Sequence, residues 1–257
     1  MNLEKLQEEG NSLTNLVVAF TGTKTKGDIP TFDEISQKIQ EKKETAEFKD
    51  AFNKAIQEAA DGTTRVAGES IDFSKLKKII GVFLANGADP MEQHIVPDLD
   101  SKLYPQGSHF GYLAKHCAHV SIPGRDDRLD ILKQIISSPK FDAKMETKEQ
   151  NITFYGLWLQ EEWFASQEKR LKDEGREVPE WDKENRAYYM KVAKTLVGAG
   201  WGKQFDKKNS HLAEDQRSED LSSFVNKVRQ EIQKDNANNA RQIGIRANLI
   251  HGGNGGL

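Results

Sequence analysis

The sequence predicts an all-α fold built from stacked antiparallel helix pairs. Apolar residues recur at steps of three and four along most of the 257 residues, which is the period of an amphipathic helix. No segment shows the strict apolar–polar alternation of a half-buried strand. Helix breakers interrupt the apolar period, as at Asp61-Gly62, Asn86-Gly87 and Pro139. These three observations favour helices joined by short breaks over a fold that contains a sheet.

Composition limits the classes of protein to which the chain can belong. It has 37 basic and 40 acidic residues, so a net charge of −3 gives no general field for nucleic acid. The single cysteine, Cys117, excludes an internal disulfide framework and a cysteine-rich zinc module. Hydrophobic residues make up 36% of the chain and the mean hydropathy is −0.72. Both values favour an elongated helical protein with a thin core.

The sequence contains no segment typical of membrane insertion. The apolar run Leu16–Phe20 is five residues long and follows acidic residues, so it lacks the length and the basic flank of a secretory signal. No stretch approaches the roughly 20 apolar residues that a transmembrane helix requires. We therefore expect no membrane span, and a protein that is cytoplasmic or is secreted into a host cell without a standard signal peptide.

The first half of the chain is expected to form five helices. Their approximate ranges are 3–17, 32–59, 73–84, 108–119 and 126–137. The polar stretch 41–44 within the second helix predicts either a turn or an exposed face. Ser70 or Asp72 is expected to cap the start of the third helix. Asp61-Gly62 is expected to end the second helix, and Asn86-Gly87 is expected to end the third.

Three further helices are expected in the second half, at about 153–172, 183–197 and 219–234. The Asn/Gly-rich residues 236–257 predict a disordered tail, with a short docking peptide as the alternative. These patterns divide the chain into an N-terminal helical segment and loop at 1–30, a helical body at 31–235, and the tail.

Two segments of the body align at an offset of 45 residues. They are 109–114 and 154–159, and each is expected to open a helix with an aromatic residue followed by glycine. Glycine inside a helix costs about 1 kcal/mol, so Gly111 and Gly156 predict the close approach of a neighbouring backbone. Three helix ends also align, each with an apolar pair, a helix breaker and a turn: 80–89, 132–142 and 194–201.

The segment Ile80–Pro90, with its apolar pair and its Gly87-Ala88-Asp89 turn, resembles the end of an ankyrin repeat. The resemblance implies a degenerate ankyrin-repeat solenoid, in which the apolar pairs pack second helices and Gly-Ala-Asp starts a hairpin finger. The pairs lie 52 and 61 residues apart rather than about 33, so long insertions would separate the repeats. An irregular helical bundle is the alternative.

The same resemblance implies that the protein binds another protein, in the manner of ankyrin-type effectors of intracellular bacteria. It implies no catalytic activity, no cofactor and no metal. Ankyrin-like modules bind through hairpin tips and first helices. By position, the resemblance implies six contact residues: Met91, Gln93, Lys115, His119, Gln160 and Trp163. The oligomeric state stays open.

The densest group of metal-capable side chains is His109, His116, Cys117 and His119. On a helix Cys117 points about 100° away from His116, so the four cannot converge on one ion. The same divergence disfavours a Cys–His nucleophile pair, and Cys117 is expected to be a buried packing residue. An enzyme with a site assembled across helices, around His116 and His119 or around 158–163, is the competing function, and a structural assembly subunit is the third.

Two further motifs are explained better by structure than by chemistry. The loop Gly198–Gln204 departs from a phosphate-binding loop in its glycine spacing and in having Gln204 instead of Ser or Thr, so we expect a helix end there. Glu161 and Glu162 are adjacent, so on a helix their carboxylates point in different directions and cannot act as the facing pair of a glycosidase site. We expect both to lie on a solvated face beside a buried aromatic stripe. Trp163 lies off that stripe and is expected to be an exposed anchor.

Overall fold

The computed structural model of the chain describes residues 12–23, 29–62, 70–92, 107–118, 124–142, 147–202 and 216–251. Within these ranges the regular secondary structure is helical, as predicted, and an isolated antiparallel bridge pairs Gly22 with Ile71. The helices are α1 Leu13–Thr21, α2 Phe32–Glu41, α3 Ala46–Asp61, α4 Phe73–Ala85, α5 His109–Cys117, α6 Arg125–Ile136, α7 Thr147–Asp173, α8 Glu180–Gly198 and α9 Gln216–His251.

The chain divides into two compact units, residues 1–157 and 158–257, and the boundary lies inside α7. The predicted division into segments 1–30, 31–235 and 236–257 stays a prediction. Helix α1 packs on α3 and α4 within the first unit, and α9 continues through the first part of the predicted tail. A short apolar helix gains more from burial against its neighbours than from standing apart, which explains the place of α1.

Helix α3 is the centre of the first unit, where it contacts α1, α4, α5 and α6. Ala51 and Ala55 are fully buried, and small side chains let neighbouring helices approach closely. The ring of Phe83 on α4 lies 5.1 Å from Phe48 and 5.6 Å from Phe52, centroid to centroid. In a linear stack each repeat contacts only its neighbours. The packing around α3 does not establish an ankyrin-like solenoid, which stays a prediction.

The predicted start and stop signals act where the sequence places them. Asp72 is the cap of α4, because its Oδ1 accepts a hydrogen bond of 3.1 Å from the backbone N–H of Lys75. Residues 42–45 form a turn between α2, which ends at Glu41, and α3, and Glu44 takes a left-handed φ of 67° there. Gly62 ends α3 with a φ of 76° and donates its N–H to the carbonyl of Glu58 at 2.8 Å.

Two of the three aligned helix ends share one local structure. At the end of α4 the N–H of Ala88 bonds to the carbonyl five residues earlier at 3.0 Å, and Gly87 has a φ of 92°. At the end of α8 the N–H of Trp201 makes the same bond at 3.0 Å, and Gly200 has a φ of 98°. These are Schellman caps. Helix α6 ends instead at Ser137, with a φ of −81°. A common capping structure therefore accounts for the likeness between the first and third ends.

The two aligned aromatic–glycine segments are not equivalent in the structure. Segment 109–114 opens α5, as predicted, whereas 154–159 lies inside α7. A Cβ atom added to Gly156 would meet only the Cβ of Ala118, at an ordinary distance of 3.9 Å. Among the residues that the structure describes, no backbone atom from outside α7 shows the close approach predicted at Gly156.

Glu58 is a fully buried carboxyl group on α3. Its Oε2 accepts a hydrogen bond of 2.9 Å from the hydroxyl of Thr21, and the ammonium of Lys54 lies 3.8 Å from Oε1. Burial raises the pKa of Glu58 to about 7, because loss of water disfavours the charged form more than Lys54 and Thr21 favour it. A group that packs α1 against α3 therefore titrates near neutral pH.

Arg128 joins α6 to the end of α3 and is 1% exposed. Its Nε donates a hydrogen bond of 2.6 Å to the carbonyl of Ala59, and the guanidinium lies 5.3 Å from the ring centroid of Phe73. A cation is favourable beside the carbonyls of a helix C-terminus. Phe73 also packs against Gly124, where an added Cβ would lie 2.2 Å from the ring.

We expect Glu58→Gln to remove a pH dependence from the free energy of unfolding. Since the pKa of Glu58 is about 7 in the folded state and that of an exposed glutamate is about 4.5, protonation favours folding. This stabilisation, about 3 kcal/mol, is complete below pH ~4.5 and is lost as the pH rises through about 7. Denaturant titrations between those pH values measure it. The exposed Glu41→Gln is the matched control, and an unchanged pH dependence in Glu58→Gln would contradict the assignment.

Two glycine substitutions are expected to have opposite effects on stability. Gly124→Ala forces a Cβ into the ring of Phe73 at a φ of 75°, so we expect a loss of about 2–4 kcal/mol. Gly156→Ala adds a Cβ at ordinary van der Waals distance from Ala118 inside a helix, and it should be neutral or stabilising by up to about 1 kcal/mol. Thermal unfolding of both variants tests these expectations. A lower melting temperature for Gly156→Ala would support the close backbone approach that the sequence predicts at this position.

Candidate functional site

A cleft of about 470 Å³ lies between α7, α8 and α9 in the second unit. Its apolar side chains are Phe164, Val178, Ala187 and Met190. Its charged side chains comprise four carboxylates and three cations: Glu161, Glu168, Asp182 and Glu231, with Lys183, Arg186 and Lys227. The volume lies within the range of about 300–1,000 Å³ that is usual for small-molecule sites.

Helix α7 places Glu161 inside its buried stripe. Leu157 and Phe164 are buried core residues, and Glu161, four residues after the first and three before the second, is 6% exposed. Glu162 is exposed. The expectation of a solvated face is therefore confirmed for Glu162 and wrong for Glu161. The spacing from Leu157 to Phe164 is the signal that identifies Glu161 as a buried position.

The Glu161 carboxylate on α7 accepts hydrogen bonds from side chains of α8 and α9. Arg186 donates to both of its oxygens, from Nη2 to Oε1 at 2.6 Å and from Nε to Oε2 at 3.1 Å. Lys227 on α9 donates to Oε1 as well. Arg186 also donates from Nη1 to Glu168 at 2.6 Å, and Glu168 accepts from Lys172 at 2.6 Å. We call these five side chains the α7–α9 ion network.

The ion network favours the charged forms of Glu161, Glu168 and Arg186. Burial raises the pKa of Glu161, but the hydrogen bonds from Arg186 and Lys227 outweigh burial and lower that pKa below its ordinary value. Hydrogen bonds from Lys172 and Arg186 lower the pKa of Glu168, and Glu161 raises the pKa of Arg186. Neither carboxylate is thus poised to act as a general acid at neutral pH.

An exposed apolar face lies on α7 in the second unit. Trp163 is 46% exposed, which confirms the expectation of an exposed position, and Leu159, one turn earlier, is 42% exposed. The ring of Trp163 packs edge-to-face on the buried ring of Phe164, with centroids 4.8 Å apart. Gln160 lies beside them and is half-buried. We call Leu159 and Trp163 the α7 face.

The other predicted contact residues lie in the first unit. Met91 is 6% exposed and belongs to the core, so its side chain offers little contact surface. Lys115 is exposed on α5. Gln93 and His119 lie outside the residues that the structure describes. The six-residue contact surface as a whole stays a prediction.

The histidine–cysteine group is mainly structural. Burial lowers the pKa of His109 to about 4 and raises the pKa of the fully buried Cys117 to about 12, so the expected packing role of Cys117 is confirmed. The Nδ1 of His116 lies 2.8 Å from the carbonyl oxygen of Tyr112. Across the ranges given above, no three His, Cys, Asp or Glu side chains are arranged to hold a metal ion. A site shared by His116 and His119 stays untested.

The glycines after α8 end that helix, as predicted. Gly200 and Gly202 have φ values of 98° and 86°, and Trp201 between them is fully buried. Residues 203 and 204 lie outside the described ranges. Of the helices in those ranges, none is long and apolar enough to cross a membrane.

The ion network predicts unequal effects for two adjacent substitutions. Glu161→Gln leaves Arg186 and Lys227 without their shared carboxylate, so we expect the second unit to lose about 1–3 kcal/mol of stability at pH 7. Glu162→Gln is exposed and should change stability by less than about 0.5 kcal/mol. Chemical denaturation monitored for the second unit measures both. Equal effects would mean that the network contributes nothing to folding.

Comparison of the chain with protein-family models, with curated proteins and with solved structures finds no match. The site must therefore be interpreted from its own geometry.

Proposed function

We propose that the protein recognises another protein and that the α7 face is part of the surface that it uses. The exposed Trp163 is the observation that carries this proposal. Tryptophan is among the residues that contribute most to binding energy in protein interfaces. A large side chain that remains 46% exposed leaves apolar area for a partner to bury.

The packing of Trp163 supports this role. Its ring rests on Phe164, which is 5% exposed, so the tryptophan is held by the core on one side and open to solvent on the other. A side chain that is already ordered loses less conformational entropy on binding. Leu159, one turn away, extends the apolar area along the helix.

The chemistry of the second unit favours binding over catalysis. The carboxylates of the ion network are tied to cations and have lowered pKa values, whereas a general acid at neutral pH needs a raised one. The resemblance of Ile80–Pro90 to an ankyrin repeat supports the same class of function. Its likeness to bacterial effectors makes a host protein the partner class to test first.

We expect Trp163→Ala to weaken capture of the partner while leaving the fold intact. Proteins bound to the immobilised full chain from a host-cell lysate are quantified by mass spectrometry. Loss of a buried tryptophan anchor costs about 2 kcal/mol or more, so a true partner should fall by at least about tenfold. The Kd of the purified pair then confirms direct binding.

Trp181→Ala is the matched control, since Trp181 is 62% exposed and lies in the first turn of α8. It should retain the partner. A set of proteins captured equally by the wild type and Trp163→Ala would overturn the proposal for the α7 face. Light scattering at several concentrations identifies self-association, which would make the partner a second copy of the chain.

A further inference from the structure

We propose that α7 of the second unit pairs with α7 of a second copy of this chain, in antiparallel orientation and through the side of the helix that carries Trp163. This inference rests on the proposed role of the α7 face in protein recognition and names one partner for that face. Three features of the exposed side chains of α7 carry it: their spacing, their sizes and their charges.

Two stripes of side chains run along opposite sides of α7. The buried stripe follows alternating steps of four and three residues and includes Leu157, Glu161, Phe164 and Leu171. A second stripe is displaced from it by two residues, a rotation of about 200° around the helix axis. Its members are all exposed, and we call them the outer stripe: Leu159, Trp163, Ser166, Arg170 and Asp173. Because this spacing forms the seam of a coiled coil, the outer stripe presents a helix-packing seam to solvent.

The charge of Arg170 favours an antiparallel partner over a parallel one. In a parallel pair each residue of the outer stripe meets its counterpart in the other copy, so the two Arg170 guanidinium groups would repel each other. In an antiparallel pair Arg170 instead lies opposite Leu159 of the other copy. Its guanidinium, held by Gln167 at 2.7 Å on the same helix, stays in solvent while its aliphatic stem covers the leucine.

This antiparallel alignment also places a large side chain against a small one. With Leu159 opposite Arg170, Trp163 of each copy lies opposite Ser166 of the other. A small residue opposite a tryptophan lets the two helices approach without a clash, as dense packing requires. A symmetric dimer needs a surface that complements itself, and the two halves of the outer stripe meet this requirement.

Glu162 and Lys169 flank the outer stripe with opposite charges. Both are exposed, and neither forms an ion pair with a residue inside the described ranges. Each precedes a residue of the outer stripe by one position, so both lie along the same edge of the stripe. Equivalent edges face each other in an antiparallel pair, and Glu162 of each copy therefore meets Lys169 of the other. Exposed ion pairs add little affinity, but they determine the orientation in which two helices associate.

The pairing should be weak and reversible. The outer stripe is about 21 Å long and belongs to one helix, whereas a standard interface takes about 20–30 residues from each partner. Because the pairing covers Trp163, self-association and the capture of another protein compete for the same side chain. We therefore expect a dimer that another partner of the α7 face displaces.

Sedimentation equilibrium of the full chain at pH 7.5 in low salt, from about 5 to 500 μM, tests for a monomer–dimer equilibrium. Glu162→Lys and Lys169→Glu each place like charges together twice, and each should weaken the dimer at least about fivefold. An equimolar mixture of these two variants regains both attractive pairs and should form a mixed dimer about as tightly as the wild type. Glu184→Lys, exposed on α8, makes the same charge change elsewhere and is the matched control.

A chain that stays monomeric up to the highest concentration would overturn the pairing. So would a dimer that neither charge reversal weakens, because that dimer uses another surface. Failure of the mixture to associate, with the helical content of both variants unchanged, would do the same. In each of these cases, Trp163-dependent capture of a protein from lysate would leave the proposed function standing, so the failure of the pairing is distinguishable from the failure of protein recognition.

Discussion

The second unit depends on the ion pairs that the Glu161 carboxylate forms with Arg186 and Lys227. The carboxylate is buried, so its charge needs compensation, and it receives hydrogen bonds from α8 and from α9. An arginine fork fixes the angle between α7 and α8 more narrowly than apolar contact alone, because both guanidinium donors must meet both oxygens. Without compensation, the carboxylate would have to be protonated or solvated, and either change would open the contact between the helices.

Ion pairs and a short run of buried apolar residues together hold α9 in the second unit. Helix α9 contributes Leu221, Phe224, Val225 and Val228 to the core, and side chains from 233 to 241 are exposed. Among the side chains described for α9, residues 220–241, burial extends over about two turns, which gives that part of the helix limited hydrophobic stabilisation. Ion pairs from Lys227 to Glu161 and from Lys194 to Asp235 supplement it at two separate positions along the helix. Glu161 and Lys227 also line the cleft between α7, α8 and α9, so a contact that holds the helices together also sets part of the charge of the cleft.

In the first unit, buried polar groups also stabilise the packing of the helices, but they do so at helix ends. Its central helix carries buried alanines that admit neighbouring helices, and its buried polar groups bind the ends of helices. Arg128 reaches the last turn of α3, and Glu58 reaches the last residue of α1, Thr21. These contacts satisfy polar groups at places where helices end and backbone carbonyls lack helical partners. A chain with 36% hydrophobic residues thus obtains two cores by placing paired polar groups inside each.

The sequence by itself determined the features that depend on neighbouring residues. The helical class, the caps at Asp72 and Gly62, the glycine stop after α8, the burial of Cys117 and the exposure of Trp163 all follow from spacings of a few residues. The tertiary structure alone decided which polar groups meet. Arg186 and Lys227 lie 25 and 66 residues from Glu161, and no local period connects them. Helix formation is governed by contacts within a turn or two, whereas the charge and the shape of a cleft arise only when distant helices pack.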